Sequence, residues 1–213
     1  MSSYTLRYFN LVARGEAAKV MFLLSGADWK LESPEWPQEK SAQPVGKLPV
    51  LVETPADGSE PLVLSESLAI EYYLAAKTGY LYQPDNLTLV ARQLELRSHI
   101  VSLCDVFIDW WFGTEVTKPK LRENFKTTAE YLVKHHEKIL EESDSDGHHY
   151  FGSTTTFVDI VLFAYITVLR TKFSGVDAEI LEILSEKNAP RINKVVNAVA
   201  AEPALAAYVV ETK

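Results

Sequence analysis

Cysteine is nearly absent from this sequence, since Cys104 is the only one among 213 residues. A single thiol cannot form an intramolecular disulfide, so the chain is predicted to reside in a reducing compartment. Cys104 lies on the apolar face of a helical pattern, and we expect it to be a buried, inert thiol. Basic residues are also too few for nucleic-acid binding, which requires a basic face. There are 21 Lys and Arg against 29 Asp and Glu, a net charge of −8.

Long hydrophobic runs are missing as well. The longest run, at 160–169, has only about half the length of a membrane-spanning helix. The first residues of the chain lack the basic-then-apolar layout of a signal peptide. We therefore predict a cytoplasmic protein that does not contact membranes.

Metal-ligand patterns are equally scarce. The five histidines do not have the spacing of metal ligands. Asp144, Asp146 and Gly147 match only part of a calcium-binding loop, because the glycine comes too early and Thr155 stands where the final Glu belongs. This segment is predicted to be a solvated turn, and no metal site is expected.

The clearest pattern that is present surrounds Pro49. This proline stands at the head of an apolar run at 50–52, and a proline can occupy the first position of a strand. If its peptide bond were cis, the preceding residue would turn its backbone N–H and C=O outward, where another extended chain could pair with them. A turn at 56–58 and a second short strand at 62–64 follow.

The segment Ser65-Glu66-Ser67 is predicted to open a helix, because serine is a good N-cap and Glu suits the positive end of the helix dipole. A helix N-terminus of this kind is suited to an anion. Together with the Pro49 segment, it predicts a site for a small peptide-like molecule that carries a carboxylate. An ordinary hairpin followed by a capped helix explains the same spacing equally well.

Residues 46–51 (Gly-Lys-Leu-Pro-Val-Leu) and 66–70 (Glu-Ser-Leu-Ala-Ile) resemble the glutathione-binding half of cytosolic glutathione transferases. The motif Tyr-Phe-Asn at 8–10, together with Arg14, Glu16, Trp36 and Lys40, is most similar to the sigma class. That class includes prostaglandin D synthase, invertebrate detoxifying enzymes and the lens S-crystallins. The resemblance extends over essentially the whole chain.

The resemblance implies an α/β thioredoxin-like domain at 1–79 with the element order βαβαββα. A linker at 80–86 and an all-α helical-bundle domain at 87–213 follow. Apolar spacing agrees with this division. The first half has strand-like runs at 4–9 and 29–32, and a helical run at 15–24 that ends before Gly26.

In the second half, apolar residues recur at spacings of three and four over 96–111 and 121–139, which predicts two long helices. The run at 157–169 is apolar nearly all round and predicts a helix at the centre of a bundle. Thr156 and Asp159 at its start form a predicted capping box.

Tyr8 is the candidate catalytic residue. The loop at 10–13 contains no thiol, so any thiol chemistry must belong to the ligand. A free thiol has a pKa of about 8.5, and a hydrogen bond from a phenol favours its thiolate form. From the residues alone, a core aromatic side chain is a better interpretation of Tyr8 than a catalytic residue. The resemblance implies that Tyr8 activates the glutathione sulfur and that Arg14 assists it. The alternatives for Arg14 are a solvated side chain or a pair with Glu16.

The resemblance also implies a set of glutathione-binding residues, which are Trp36, Lys40, Lys47, Leu48, Pro49, Glu66 and Ser67. The two lysines and Trp36 would meet the glycine carboxylate. Leu48 would pair with the cysteinyl backbone, and Glu66 and Ser67 would hold the γ-glutamyl group. Sigma-class proteins carry Gln at the position of Glu66, whereas other classes carry Glu, so binding is expected to persist.

A second pocket, for an apolar electrophile, is implied between the loop after the first strand and the first long helix. Its candidate residues are Phe9, Leu11, Val12, Phe107, Trp110, Trp111 and Phe112. Each of these residues is individually explained as well by a core or dimer contact. The generic apolar lining does not specify the physiological electrophile.

One departure from the family lies on the first long helix. Many relatives place an Asp of the partner subunit near glutathione, whereas Ser98 and His99 stand at about that position here. The carboxylates that bind a divalent metal in prostaglandin D synthase are likewise missing. A magnesium-stimulated prostaglandin synthase is therefore disfavoured.

The sequence as a whole predicts a glutathione transferase that uses glutathione as co-substrate, with peroxidase chemistry as a side activity. The resemblance implies a homodimer, and neither nucleic acid nor membrane is expected as a partner. Two alternatives stay open. One is a non-catalytic ligand carrier or crystallin-like protein of the same fold, and the other is a glutathione-dependent isomerase.

Overall fold

The computed structural model describes residues 2–171 and 178–211. The chain divides into two compact units, Met1–Leu81 and Tyr82–Lys213. Each is described below by itself.

The first unit is built on a four-stranded mixed sheet with the strand order β2-β1-β3-β4. Its strands are β1 (Ser3–Arg7), β2 (Trp29–Glu32), β3 (Val50–Thr54) and β4 (Leu62–Ser65). Strand β1 pairs in parallel with β2 and antiparallel with β3, so β2 is an edge strand. Two helices, α1 (Glu16–Ser25) and α2 (Ser67–Thr78), pack together beside the sheet. This arrangement confirms the predicted thioredoxin-like fold.

The predicted element order differs in one place, between β2 and β3. The second helix of the βαβαββα order is replaced by two short 3₁₀ turns, Lys40–Ala42 and Pro44–Gly46. Proline lacks a backbone N–H and cannot continue a helix, which accounts for the break at Pro44. Two peptide bonds in this part of the chain are cis, Trp36–Pro37 and Leu48–Pro49.

The helix ends show one confirmed and one wrong prediction. Gly26 terminates α1 with φ = 63°, as its position in the sequence predicted. The predicted serine cap of α2 is wrong, because the N-cap is Glu66, with φ = 72° and no capping hydrogen bond from its side chain. Ser65 pairs with Val50 as the last residue of β4, so the sheet holds it in extended backbone.

The second unit is helical, and the residues described in it contain no strand. Its helices are α3 (Leu87–Trp111), α4 (Lys118–Glu142), α5 (Phe157–Arg170), α6 (Ala178–Ile183), α7 (Pro190–Ala200) and α8 (Ala206–Glu211). Helix α3 packs on α4 and α5, and α5 packs on α7. The side chains of α5 are almost all buried, which confirms the predicted central helix.

The N-terminus of α5 has the predicted capping box of Thr156 and Asp159. The Asp159 carboxylate is fully buried and also accepts the backbone N–H of Tyr150 at 2.8 Å. Burial raises the pKa of Asp159 to about 6, against the lowering effect of the hydrogen bonds that it accepts. None of the helices in the described part of the chain is both long enough and apolar enough to span a membrane.

Candidate functional site

A cleft of about 460 Å³ lies in the first unit. It is lined by Arg14, Trp36, Lys40, Gly46, Lys47, Leu48, Pro49, Glu66 and Ser67. The structure thus brings together all seven residues that the resemblance implied for glutathione, with Arg14 beside them. They come from three segments that are well separated in the sequence.

Strand pairing explains why two of these segments meet. Val50 at the start of β3 pairs with Ser65 at the end of β4. Pro49 precedes the first of these residues and Glu66 follows the second, so the pairing brings both to the same end of the hairpin. Ser67 then begins α2, whose N-terminal N–H groups lie next to the cleft.

The lining of the cleft carries mostly positive charge. Arg14, Lys40 and Lys47 stand against the single carboxylate of Glu66. The Lys40 ammonium lies 5.9 Å from the centre of the Trp36 ring, a cation–π distance that orients both side chains. A ligand with two carboxylates and one ammonium matches this distribution of charge.

Tyr8 is joined to the cleft through Arg14. The backbone N–H of Arg14 donates a hydrogen bond of 3.1 Å to the phenol oxygen of Tyr8. Tyr8 is only 5% exposed, and its backbone N–H donates to the carbonyl of Glu32 at 3.0 Å. Tyr8 is therefore held at its backbone by strand β2 and at its phenol oxygen by the loop before α1.

Two glycines at the site were not singled out from the sequence. Gly46 lines the cleft and has φ = 61°. A Cβ atom added at Gly46 would lie 3.5 Å from Cε of Lys40. Gly15 lies against the Tyr8 ring. Gly46 belongs to the motif at 46–51 but was not assigned a role, and the only sequence signal for Gly15 was its position beside Arg14.

The residues implied for an electrophile pocket fall in both units. In the first unit, Phe9 packs edge-on against Trp36 with ring centres 5.5 Å apart, and Leu11 is 38% exposed. Val12 is half-buried in the same loop. The contact with Trp36 places Phe9 next to the wall of the cleft.

The other candidates belong to the second unit. Phe107 is buried and packs on Phe125 with ring centres 5.7 Å apart, as a core residue does. Trp110 and Trp111 both contact its ring, and Phe112 is 79% exposed. The electrophile pocket stays a prediction.

Cys104 is buried, as predicted. Over 2–171 and 178–211, no three or more His, Cys, Asp or Glu side chains are arranged to hold a metal ion. One distant histidine does meet an adjacent pair, because the ring centre of His99 on α3 lies 5.2 Å from that of His135 and 5.7 Å from that of His136 on α4. Burial lowers the pKa of His136 to about 3, so this ring is neutral.

Comparison with known proteins agrees with this geometry. The family model described as "Glutathione S-transferase, C-terminal domain" matches residues 104–212, about half of the chain. The chain is 28% identical to hematopoietic prostaglandin D synthase of Gallus gallus, over 98% of this chain and 96% of that protein. It is 27% identical to S-crystallin SL11 of Nototodarus sloanii, again over 98% and 96%.

Among solved structures, the fold is similar to that of a sigma class glutathione transferase from Fasciola hepatica. The TM-score is 0.80 at 21% identity, and the match covers 100% of this chain and 97% of the other. At this identity the likeness is one of fold. The family model matched over residues 104–212 establishes that this chain belongs to the glutathione S-transferase family.

Proposed function

We propose that this protein conjugates the thiolate of glutathione to hydrophobic electrophiles, with Tyr8 as the residue that activates the sulfur. The observation that carries the proposal is the hydrogen bond from the Arg14 N–H to the Tyr8 phenol oxygen, which attaches the phenol to a cleft that matches the charges of glutathione. A cytoplasmic homodimer, typical of the family, is part of the proposal.

Each end of glutathione has a partner in the cleft. Lys40 and Lys47, with Trp36, bind the glycine carboxylate. Glu66 accepts the γ-glutamyl ammonium, and the N-terminus of α2 at Ser67 binds the γ-glutamyl carboxylate through its N–H groups. The backbone of Leu48 pairs with the cysteinyl residue between them.

The chemical step is a nucleophilic substitution or addition at carbon. The glutathione thiol loses its proton to solvent, and the Tyr8 O–H donates a hydrogen bond to the sulfur, which lowers the pKa of the thiol. Arg14 adds positive charge nearby. The sulfur lone pair forms a C–S bond with the electrophilic carbon, and a leaving group such as chloride departs with its bonding pair. Phe9, Leu11 and Val12 supply apolar surface for the electrophile in the first unit.

The test is the rate of glutathione conjugation with chlorodinitrobenzene for the wild type and Tyr8→Phe. We expect clear turnover that falls at least about tenfold in the variant, because one hydrogen bond to a charged group contributes roughly 1.5–3 kcal/mol. Tyr72→Phe is the matched control, since it removes a phenol oxygen from α2 outside the cleft lining. Equal rates for wild type and Tyr8→Phe would overturn the role of Tyr8.

The carrier and isomerase alternatives predict other results. Retention on immobilised glutathione, with no turnover in the conjugation assay, supports a ligand carrier or crystallin-like protein, in line with the S-crystallin relative. Turnover of a substrate without net loss of glutathione supports an isomerase, in line with the prostaglandin D synthase relative.

A further inference from the structure

Gly15 is in direct contact with the ring of Tyr8. A Cβ atom added at Gly15 would lie 2.7 Å from Cδ1, 2.9 Å from Cγ and 3.2 Å from Cε1 of that ring. Carbon atoms that are not bonded to each other normally approach no closer than about 3.5 Å. The backbone of Gly15 thus lies closer to the Tyr8 ring than it could if residue 15 carried a Cβ atom.

The need for glycine here is a matter of space and not of backbone conformation. Gly15 has φ = −82° and ψ = −4°, angles that other residues also adopt. By contrast, Gly26 has φ = 63° and no atom within 4 Å of an added Cβ. Gly15→Ala therefore tests crowding in which the three nearest atoms all belong to Tyr8, without left-handed backbone strain.

Tyr8 has little freedom to move away from an added methyl group. The residue is 5% exposed, and its ring also packs against Phe9 with centres 5.6 Å apart. Its phenol oxygen accepts the N–H of Arg14, the residue that directly precedes Gly15. Relief of the contact from 2.7 Å to about 3.5 Å needs a relative shift of about 0.8 Å, which displaces either the ring or the peptide that holds its oxygen.

We propose that Gly15 is a positioning residue for thiolate formation: its missing side chain lets the Tyr8 ring lie where the Arg14 N–H can fix the phenol oxygen. The proposal rests on the proposed function of Tyr8. A misplacement of about 1 Å at a reacting group is enough to slow an enzyme considerably, in some cases a hundredfold. The hydrogen bond that the oxygen accepts from Arg14 also polarises the phenol and strengthens its own O–H as a donor.

The main experiment compares wild type with Gly15→Ala in three measurements. We expect kcat/KM for conjugation to fall about tenfold, and the apparent pKa of the bound thiol to rise towards the free value of about 8.5. That pKa is read from thiolate absorbance against pH. Glutathione affinity, measured by calorimetry, should change less than about threefold, because the charged residues of the cleft are untouched.

Gly113→Ala is the matched control. A Cβ at Gly113 would lie 2.7 Å from Cδ1 of Leu121, so it crowds a side chain of the second unit to the same degree. It should lower stability as overpacking does and leave the pKa of the bound thiol unchanged. A purely structural role for Gly15 would give the same result as this control and would overturn the proposal.

A double-variant comparison tests whether Gly15 acts through the hydroxyl. In a Tyr8→Phe background, Gly15→Ala should change the rate less than about twofold, since the displaced hydroxyl is already gone. Equal losses in both backgrounds would overturn the proposal. Full activity of Tyr8→Phe would instead overturn the proposed function. A slow Tyr8→Phe beside a fully active Gly15→Ala would overturn the positioning role alone.

The contact can also be tested without activity. Tyr8→Leu removes the ring atoms that an added Cβ would meet, so Gly15→Ala should destabilise the protein less in that background. If Gly15→Ala alone does not fold, folding of the Tyr8→Leu/Gly15→Ala protein would show that the ring is the obstacle. Failure of both proteins to fold would contradict the proposal, because Gly15 would then be required for another reason.

Discussion

The Asp159 carboxylate accepts the backbone N–H of Thr156 at 2.7 Å and thereby closes the N-terminus of the central helix α5. The same carboxylate accepts the Thr156 hydroxyl and, at 2.8 Å, the N–H of Tyr150. Three buried donors thus depend on one buried side chain. Its loss leaves them without their acceptor in a region that water does not reach.

We expect Asp159→Ala to lower the free energy of unfolding by about 2–4 kcal/mol, which combines the loss of a helix cap with the cost of unsatisfied buried donors. Urea unfolding followed by circular dichroism measures this change. Asp109→Asn removes a carboxylate from an exposed position on α3 and serves as the control. A loss below about 0.5 kcal/mol for Asp159→Ala would contradict the assignment.

His136 is expected to make stability depend on pH. Burial, with smaller effects of His99 and His135, lowers its native pKa to about 3, whereas an unfolded histidine titrates near 6.5. Between these values the unfolded chain binds a proton that the native protein does not. The contribution of the neutral His136 to stability is therefore complete above about pH 6.5. As the pH falls from there towards 3, the free energy of unfolding decreases by up to about 1.4 kcal/mol per pH unit.

The measurement is the difference in unfolding free energy between wild type and His136→Gln at pH 7.5, 6 and 5. The advantage of the wild type should shrink as the pH falls. His148→Gln, at an exposed position, controls for the loss of an imidazole. A difference that is constant with pH would mean that His136 is not held neutral in the native state.

Lys40→Met is predicted to weaken glutathione binding about three- to tenfold and to change kcat less than twofold. In the proposed binding mode Lys40 contacts a carboxylate that does not react, so it would stabilise the ground state and the transition state alike. Because Lys40 is exposed, its contribution should decline at high salt. Lys30→Met removes an exposed lysine from β2 outside the cleft lining and should match the wild type. A loss in kcat without a change in affinity would contradict this role.

Glu66→Gln tests how the free amine of glutathione is recognised. The carboxylate attracts an ammonium more strongly than an amide does, so we expect binding of glutathione to weaken about three- to tenfold. A deamino analogue of glutathione should bind the wild type and the variant equally. Equal weakening for both ligands would mean that Glu66 acts on the shape of the cleft and not on the amine.

The sequence predicted the elements whose signals are local. The spacing over 121–139 indicated α4, the apolar run at 157–169 indicated α5, and the Thr156 and Asp159 pair marked its start. The wrong cap at α2 shows the limit of such signals. Ser65 is a good cap by residue type, but its strand pairing with Val50 takes precedence over that preference.

The contacts of the site depend on distances that no local pattern encodes. Tyr8 and Gly15 are seven positions apart in the sequence and meet only because the intervening loop turns back. His99 likewise meets His135 across two helices. The residues of the cleft were identifiable because family resemblance carries this spatial information, whereas the residue types alone fitted an ordinary hairpin.

The backbone conformation of Glu66 bears on how the thermal stability of this protein could be increased. With φ = 72° and ψ = 123°, it has a positive φ, which glycine tolerates better than other residues do and which strains a residue with a side chain by about 1–3 kcal/mol. Glycine at this position would relax the strain and raise the melting temperature, while it removed the carboxylate from the cleft. If Glu66 holds the ligand as proposed, thermal stability and ligand binding are opposed at this single residue, and selection for thermostable variants would weaken the binding site.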